Sequence, residues 1–243
     1  MNLPSGTYDK EADMKTIGII GGMSWESTAT YYRLLNQRVR QQLGGHHSAK
    51  LLISSVDFAE VEVLQRAGDW DNAAAMLADE ALKLQNAGAD FIVIATNTMH
   101  KVAPEIQATI SIPLLHIADA TAERLKRDGI HHVGLLGTRF TMSQPFYKER
   151  LESHGIRVTV PEDWHQDIVH EIIYQELVQG EINSHSRKQY LSVIDSLKHQ
   201  GVDAIILGCT EIGLLVQQHH TPVPLYDTTD LHAESAVNMA LSD

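Results

Sequence analysis

The residue with the clearest chemical potential in this chain of 243 residues is Cys209, its single cysteine. One thiol excludes an intramolecular disulfide and any multi-thiolate metal site, so it is either core filler or a nucleophile or base. Context has to decide. The run Ala204-Ile205-Ile206-Leu207-Gly208-Cys209-Thr210-Glu211 reads as a buried strand that ends at the cysteine and turns into a helix. A helix start offers unsatisfied backbone N–H groups. They are expected to draw a thiol pKa down from about 8.5 toward neutrality, and they also bind carboxylates. That would be a base beside an anion site.

The same pattern occurs earlier in the chain. Gly88-Ala89-Asp90-Phe91-Ile92-Val93-Ile94-Ala95-Thr96 aligns with residues 201 to 209 at an offset of 113, so Thr96 takes the place of Cys209. The residues that follow, Asn97, Thr98, Met99 and His100, bring short hydroxyl and amide groups that serve as helix N-caps or hold a carboxylate. Two further blocks keep the register. Ile17-Gly18-Ile19-Ile20-Gly21 matches Val133-Gly134-Leu135-Leu136-Gly137 at an offset of 116, which also pairs Tyr31 with Tyr147. Ile112-Pro113-Leu114 matches Val223-Pro224-Leu225 at an offset of 111, which also pairs Asp119 with Asp230. Three blocks in order mark a duplication.

The elements that must position these groups alternate. Apolar runs such as TIGIIGG, KLLISSVDF, FIVIATNT, HHVGLLGT and AIILGCTE are separated by helical patterns, which indicates parallel sheets covered on both faces. The expected fold is α/β: two pseudo-symmetric, doubly wound parallel-sheet lobes with the active site in the cleft between them, beyond the strand C-termini. Residues 1–13 are polar and precede a second methionine, Met14, and are expected to be a disordered extension. Residues 14–115 are assigned to the first lobe, completed by a C-terminal helix over 226–243, and residues 116–225 to the second.

Composition narrows the partners. With 19 basic and 31 acidic residues the formal charge is −12, and no basic patch stands out, so nucleic acid is not an expected partner. No apolar run is long enough to span a bilayer and no secretory signal opens the chain, so a cytoplasmic protein without a membrane partner is expected. The histidine pairs His46-His47, His131-His132 and His219-His220 lack the i, i+4 spacing of a helical metal site and read as solvated. His100 and His116 read as capping or core residues. The turns Gly21-Gly22-Met23-Ser24 and Gly137-Thr138-Arg139 lack the three-glycine spacing of a dinucleotide site.

Taken together, IGIIGGMSWEST (17–28), SVDF (55–58), TNTMH (96–100), PLLHIADAT (113–121), LLGTRFTM (135–142), IYQEL (173–177) and GCTEIGLL (208–215) resemble the aspartate/glutamate racemase family from Met14 onward. The resemblance implies an isomerase that uses neither pyridoxal phosphate nor metal, with two bases on opposite faces of the substrate Cα. In that family both are typically cysteines, at the positions occupied here by Cys209 and Thr96. A threonine hydroxyl is far less acidic than a thiol, so proton transfer biased toward one enantiomer is expected. Asn97, Thr98 and Thr210, helped by Thr138, are expected to hold the substrate α-carboxylate, and Met23 and Gln65 to line the side-chain pocket. A homodimer is implied by analogy. The competing assignments are a superfamily relative, such as a hydantoin racemase or a decarboxylase that needs one proton donor, and a protein that binds an amino acid without turnover. No cation for a side-chain carboxylate is identifiable among Arg33, Arg139 and Lys188.

Overall fold

The computed structural model describes residues 14–242, so the expected extension over 1–13 lies outside the described residues. In chain order the elements are β1 (Ile17–Gly21), α1 (Trp25–Leu43), β2 (Leu51–Ser55), α2 (Phe58–Ala67), α3 (Trp70–Asn86), β3 (Phe91–Ile94), α4 (Ala103–Thr109), β4 (Leu114–Leu115), α5 (Ile117–Arg127), β5 (His132–Gly137), α6 (Arg139–Ser143), α7 (Pro145–Ser153), β6 (Arg157–Thr159), α8 (Asp163–Gln175), α9 (Ser184–His199), β7 (Ala204–Gly208), α10 (Ile212–Leu215), β8 (Leu225–Asp227) and α11 (Thr228–Leu241). Two four-stranded sheets result, ordered β2-β1-β3-β4 and β6-β5-β7-β8. Every strand pair is parallel. The α/β class and the two-lobe arrangement are as the sequence predicts.

The central strands β1, β3, β5 and β7 are buried along nearly their whole length, which is why they read as unbroken apolar runs. The short edge strands β4, β6 and β8 do not stand out in the sequence, because two or three residues cannot display a period.

The repeat is visible as packing. A side chain on Gly18 would meet Ile92 Cδ1 at 2.8 Å and the Leu84 Cβ at 3.3 Å, and one on Gly134 would meet Ile205 Cδ1 at 2.6 Å and the Leu197 Cβ at 3.4 Å. Ile92 and Leu84 are the residues equivalent to Ile205 and Leu197, so both sheets bring a helix close to the strand at the same glycine. The helix that follows the fourth strand of each sheet packs on the other sheet. Ile117, Ala118, Ala122 and Leu125 of α5 pack with Val133, Leu135 and Tyr147, whereas Ala233, Ala236, Val237 and Ala240 of α11 pack with Ile17, Ile19 and Tyr31. A buried methyl such as an alanine's contributes roughly 0.8 kcal/mol and a larger apolar side chain roughly 1.5–3 kcal/mol, so α11 ties the end of the chain to the first sheet.

Candidate active site

The C-terminal ends of β3 and β7 open onto one pocket between the lobes. Thr96 and Cys209 line it from opposite lobes, and so do all the other site residues expected from the sequence: Met23, Gln65, Asn97, Thr98, Thr138 and Thr210. Ser24, Phe58, Ile173, Tyr174, Val178, Gly208 and Glu211 complete the wall. The sequence does not single these out as site residues. Glu211 carried a signal in the GCTE run, two residues beyond the cysteine; its partner Ser24 lies 187 positions away and has no local one.

Glu211 organises the Cys209 side. Its Oε2 accepts hydrogen bonds from the Cys209 thiol at 3.0 Å and from the Thr210 hydroxyl at 2.5 Å, and its Oε1 accepts one from the Ser24 hydroxyl at 2.7 Å. Ser24 is itself the N-cap of α1, where its side chain accepts from the Ser27 N–H, and the Met23–Ser24 peptide is cis. The carboxylate thus bridges the lobes while only 4% exposed.

This changes the expected state of the thiol. Burial first, and then the charge and the hydrogen bond of Glu211, push the Cys209 pKa well above the usual thiol range. A backbone hydrogen bond at Glu211 pulls the other way, as a helix start should, but it is outweighed. The following helix α10 has only four residues, which leaves little dipole to oppose a buried carboxylate. At rest Cys209 is a thiol that donates to Glu211, not the near-neutral thiolate expected from the sequence.

On the opposite side the equivalent loop is held differently. Thr98, which occupies the position of Glu211 in the repeat, shares a hydrogen bond of 3.1 Å with Thr138, the N-cap of α6. Asn97 Nδ2 donates to Thr228 Oγ1 at 3.0 Å, and that hydroxyl spends its own hydrogen on the Leu207 carbonyl. The amide orientation is therefore fixed. Asn97 Oδ1 is left buried without a partner, an acceptor suited to an ammonium rather than a carboxylate. The Thr96 carbonyl accepts from His100 Nδ1 at 2.8 Å, while His100 Nε2 accepts from the Ile117 N–H. Burial, followed by the neighbouring His116, holds His100 well below the usual imidazole range, so this ring is a neutral strut. His116 caps α5 by accepting from the Ala118 N–H.

Glu176 accepts from the Ser186 hydroxyl at 2.8 Å and is not among the residues that line the pocket. Arg139 pairs with Asp167 on the surface. Among the described residues, no lysine or arginine lines the pocket. Among the described residues no cluster of three or more metal-ligating side chains occurs, and no helix is long and apolar enough to cross a membrane.

A pocket between duplicated parallel sheets, with the strand-end residues of both repeats facing it, defines the class as a two-lobe racemase fold. Residues 20–236 match the Asp/Glu/Hydantoin racemase family, and the chain belongs to that family. It is 25% identical over 234 residues to the broad specificity amino-acid racemase RacX of Bacillus subtilis, covering 93% of this chain and 98% of that protein. Among solved structures, an aspartate racemase homologue from Pyrococcus horikoshii is 33% identical with a TM-score of 0.83, covering 94% of this chain and all of that one. A crystal structure from Yersinia pestis is 55% identical with a TM-score of 0.89, over 94% of this chain and 100% of that chain. The chain is an amino-acid racemase of this family, an isomerase.

Proposed function

We propose that the protein racemises a free amino acid of the class its aspartate/glutamate family handles, without pyridoxal phosphate or metal, by moving a proton at Cα between Cys209 and Thr96, with a bias toward one enantiomer. The observation that carries this reading is the pairing of equivalent strand ends across one pocket, where Cys209 already shares its proton with a buried carboxylate. Asn97 Oδ1 receives the substrate ammonium. Thr98, Thr138 and Thr210 hold the α-carboxylate with the backbone N–H groups of their loops.

Chemistry starts when the thiol proton passes to Glu211. The thiolate then takes the Cα proton, breaking the C–H bond and regenerating the thiol. The electron pair left on Cα, delocalised into the α-carboxylate, takes a proton from the Thr96 hydroxyl on the other face, and Thr96 recovers one from Glu211 through solvent. The reverse path needs a threonine alkoxide as base, which is far harder to form than a thiolate. The proposal includes the homodimer and the cytoplasmic site expected from the sequence.

A coupled assay that quantifies D-amino acids formed from L-aspartate, L-glutamate and other L-amino acids tests the reading. D-product that is lost in Cys209→Ala supports it. D-product undiminished in that variant removes the thiol from the mechanism.

A further inference from the structure

Resting on the racemase reading of the pocket, we infer that Arg66 selects for acidic substrates by pairing with their side-chain carboxylate where the pocket opens between α2 and α8, with the Tyr174 hydroxyl as a second donor. With the α-carboxylate and the ammonium held at the strand-end loops, the side chain leaves Cα toward the remaining wall. That wall is built by Phe58 and Gln65 of α2 and by Ile173 and Tyr174 of α8. Gln65 and Tyr174 also line a second hollow, together with Glu62, Arg66, Phe140 and His170. These two shared side chains separate the spaces, so the second hollow is the outer continuation of the first.

Arg66 is the cation of that mouth. It pairs with Glu62 one turn back on α2, and its side chain is 79% exposed. An exposed i, i+4 ion pair contributes only about 0.3–0.5 kcal/mol. A substrate carboxylate, which can offer both oxygens to the planar guanidinium, therefore displaces Glu62 at small cost.

The groups between Arg66 and the reacting centre are donors. Burial, followed by the charges of Cys209, Glu62 and Glu211, raises the Tyr174 pKa, while Arg66 pulls it down. The phenol thus keeps its proton and lies within electrostatic range of the thiol on one side and of Arg66 on the other. Its hydroxyl makes no hydrogen bond to another of the described residues. His170, whose ring lies 4.7 Å from that of Tyr174, accepts at Nδ1 from the Arg139 N–H. Burial first, and then Arg139, lower the His170 pKa, so the ring is neutral and its proton is on Nε2, another donor. Because α2 belongs to the first lobe and α8 to the second, a carboxylate seated here touches both.

Isosteric pairs separate charge from size. Exchange of the α-proton in D₂O, followed by NMR, compares L-glutamate with L-glutamine and L-aspartate with L-asparagine. We expect Arg66→Met to lower kcat/KM for the acidic substrates by roughly 10- to 100-fold, the range for hydrogen bonds to a charged group, and to leave the amides nearly unchanged. Arg66→Lys should restore part of the loss. Glu62→Gln, which frees the guanidinium, should raise the acidic substrates relative to the amides, and Tyr174→Phe should lower the same ratio by a smaller factor. An acid-to-amide ratio that Arg66→Met leaves unmoved overturns the inference and leaves the racemase reading intact. Absence of exchange with all four amino acids, in unmodified protein shown to be folded by circular dichroism, sinks the racemase reading and this inference with it.

Discussion

Residues 96–100 and 209–213 leave equivalent strands of two duplicated sheets, yet they share almost no chemistry. The first loop carries Thr96, Asn97, Thr98 and His100; the second carries Cys209, Thr210, Glu211 and Gly213. Each is tied across the cleft to the N-cap of the other lobe's first helix, Thr98 to Thr138 and Glu211 to Ser24. The space behind each loop is also filled differently. In the first half the rings of His100 and His116 lie 4.6 Å apart; in the second, a side chain on Gly213 would come within 2.3 Å of Asp227 Oδ2, and Asp227 is the equivalent of His116. Duplication has preserved the hydrogen-bonding frame while the groups able to exchange a proton have collected on one side. On the proposed mechanism, an inverting catalyst with such a frame is lopsided by construction.

The comparison breaks most sharply at the thiol. Cys209→Ala should lower kcat/KM by about 10³-fold, within the range for a general acid–base group, whereas Thr96→Val should abolish net inversion while leaving α-proton exchange from the enantiomer served by Cys209. A Cys209→Ala enzyme that keeps most of its activity, measured by chiral chromatography of the product, would show that the two sides do not differ in this way.

Glu211→Gln should cost roughly 100-fold in turnover by removing the proton acceptor. Its diagnostic effect is on pH. Because Glu211 raises the thiol pKa, half-maximal iodoacetamide alkylation of Cys209 should lie above the ordinary thiol range in the unmodified protein and move to lower pH in Glu211→Gln. An unmoved alkylation profile contradicts the coupling. Thr96→Cys sharpens the comparison from the other side: a second thiol should raise the slow direction by roughly 10-fold or more, because a thiol is the far better acid and base.

Smaller effects lie in stability. Thr138→Val removes a cap and the bond to Thr98, and should cost about 1 kcal/mol, a fall in Tm of roughly 2–4 °C for a chain of this size. Buried histidines couple stability to pH. Burial, above all, holds His116 at about 4 and His232 at about 3, while the unfolded chain takes up protons near pH 6.5. Unfolding therefore binds protons between about pH 6.5 and 4, and these groups make stability fall as pH falls through that window. Burial instead raises Asp227 to about 6, so its contribution falls as pH rises from about 4 toward 6. His116→Asn, which keeps a capping side chain, should flatten the loss of Tm between pH 6.5 and 4. An unchanged slope would place the titrating groups elsewhere.

What the sequence made legible follows from what repeats within it. Buried strands and their glycines read directly, and the offset between residues 96 and 209 picks out the two strand ends that line the pocket. The ionisation of Cys209 read in the wrong direction, because spacing reveals a strand entering a helix but not that the helix has a single turn, nor that the nearby Glu211 carboxylate turns back onto the sulfur. The contacts that fix that carboxylate and the Asn97 amide reach from Ser24 and Thr228, across separations at which no sequence period operates. Ile173 and Tyr174 lay within the IYQEL segment, but their pocket-facing role depends on how α8 is set against the second sheet.

The central claim is that one wall of the pocket transfers protons and the other does so poorly. Hydrogen–deuterium exchange at Cα in D₂O, measured separately for the L and D enantiomers of one turned-over amino acid, tests it most directly. The account predicts rapid exchange from the enantiomer whose Cα–H faces Cys209 and exchange at least about 10-fold slower from the other, as expected when a hydroxyl replaces a thiol as the base. Equal rates from both enantiomers would contradict it.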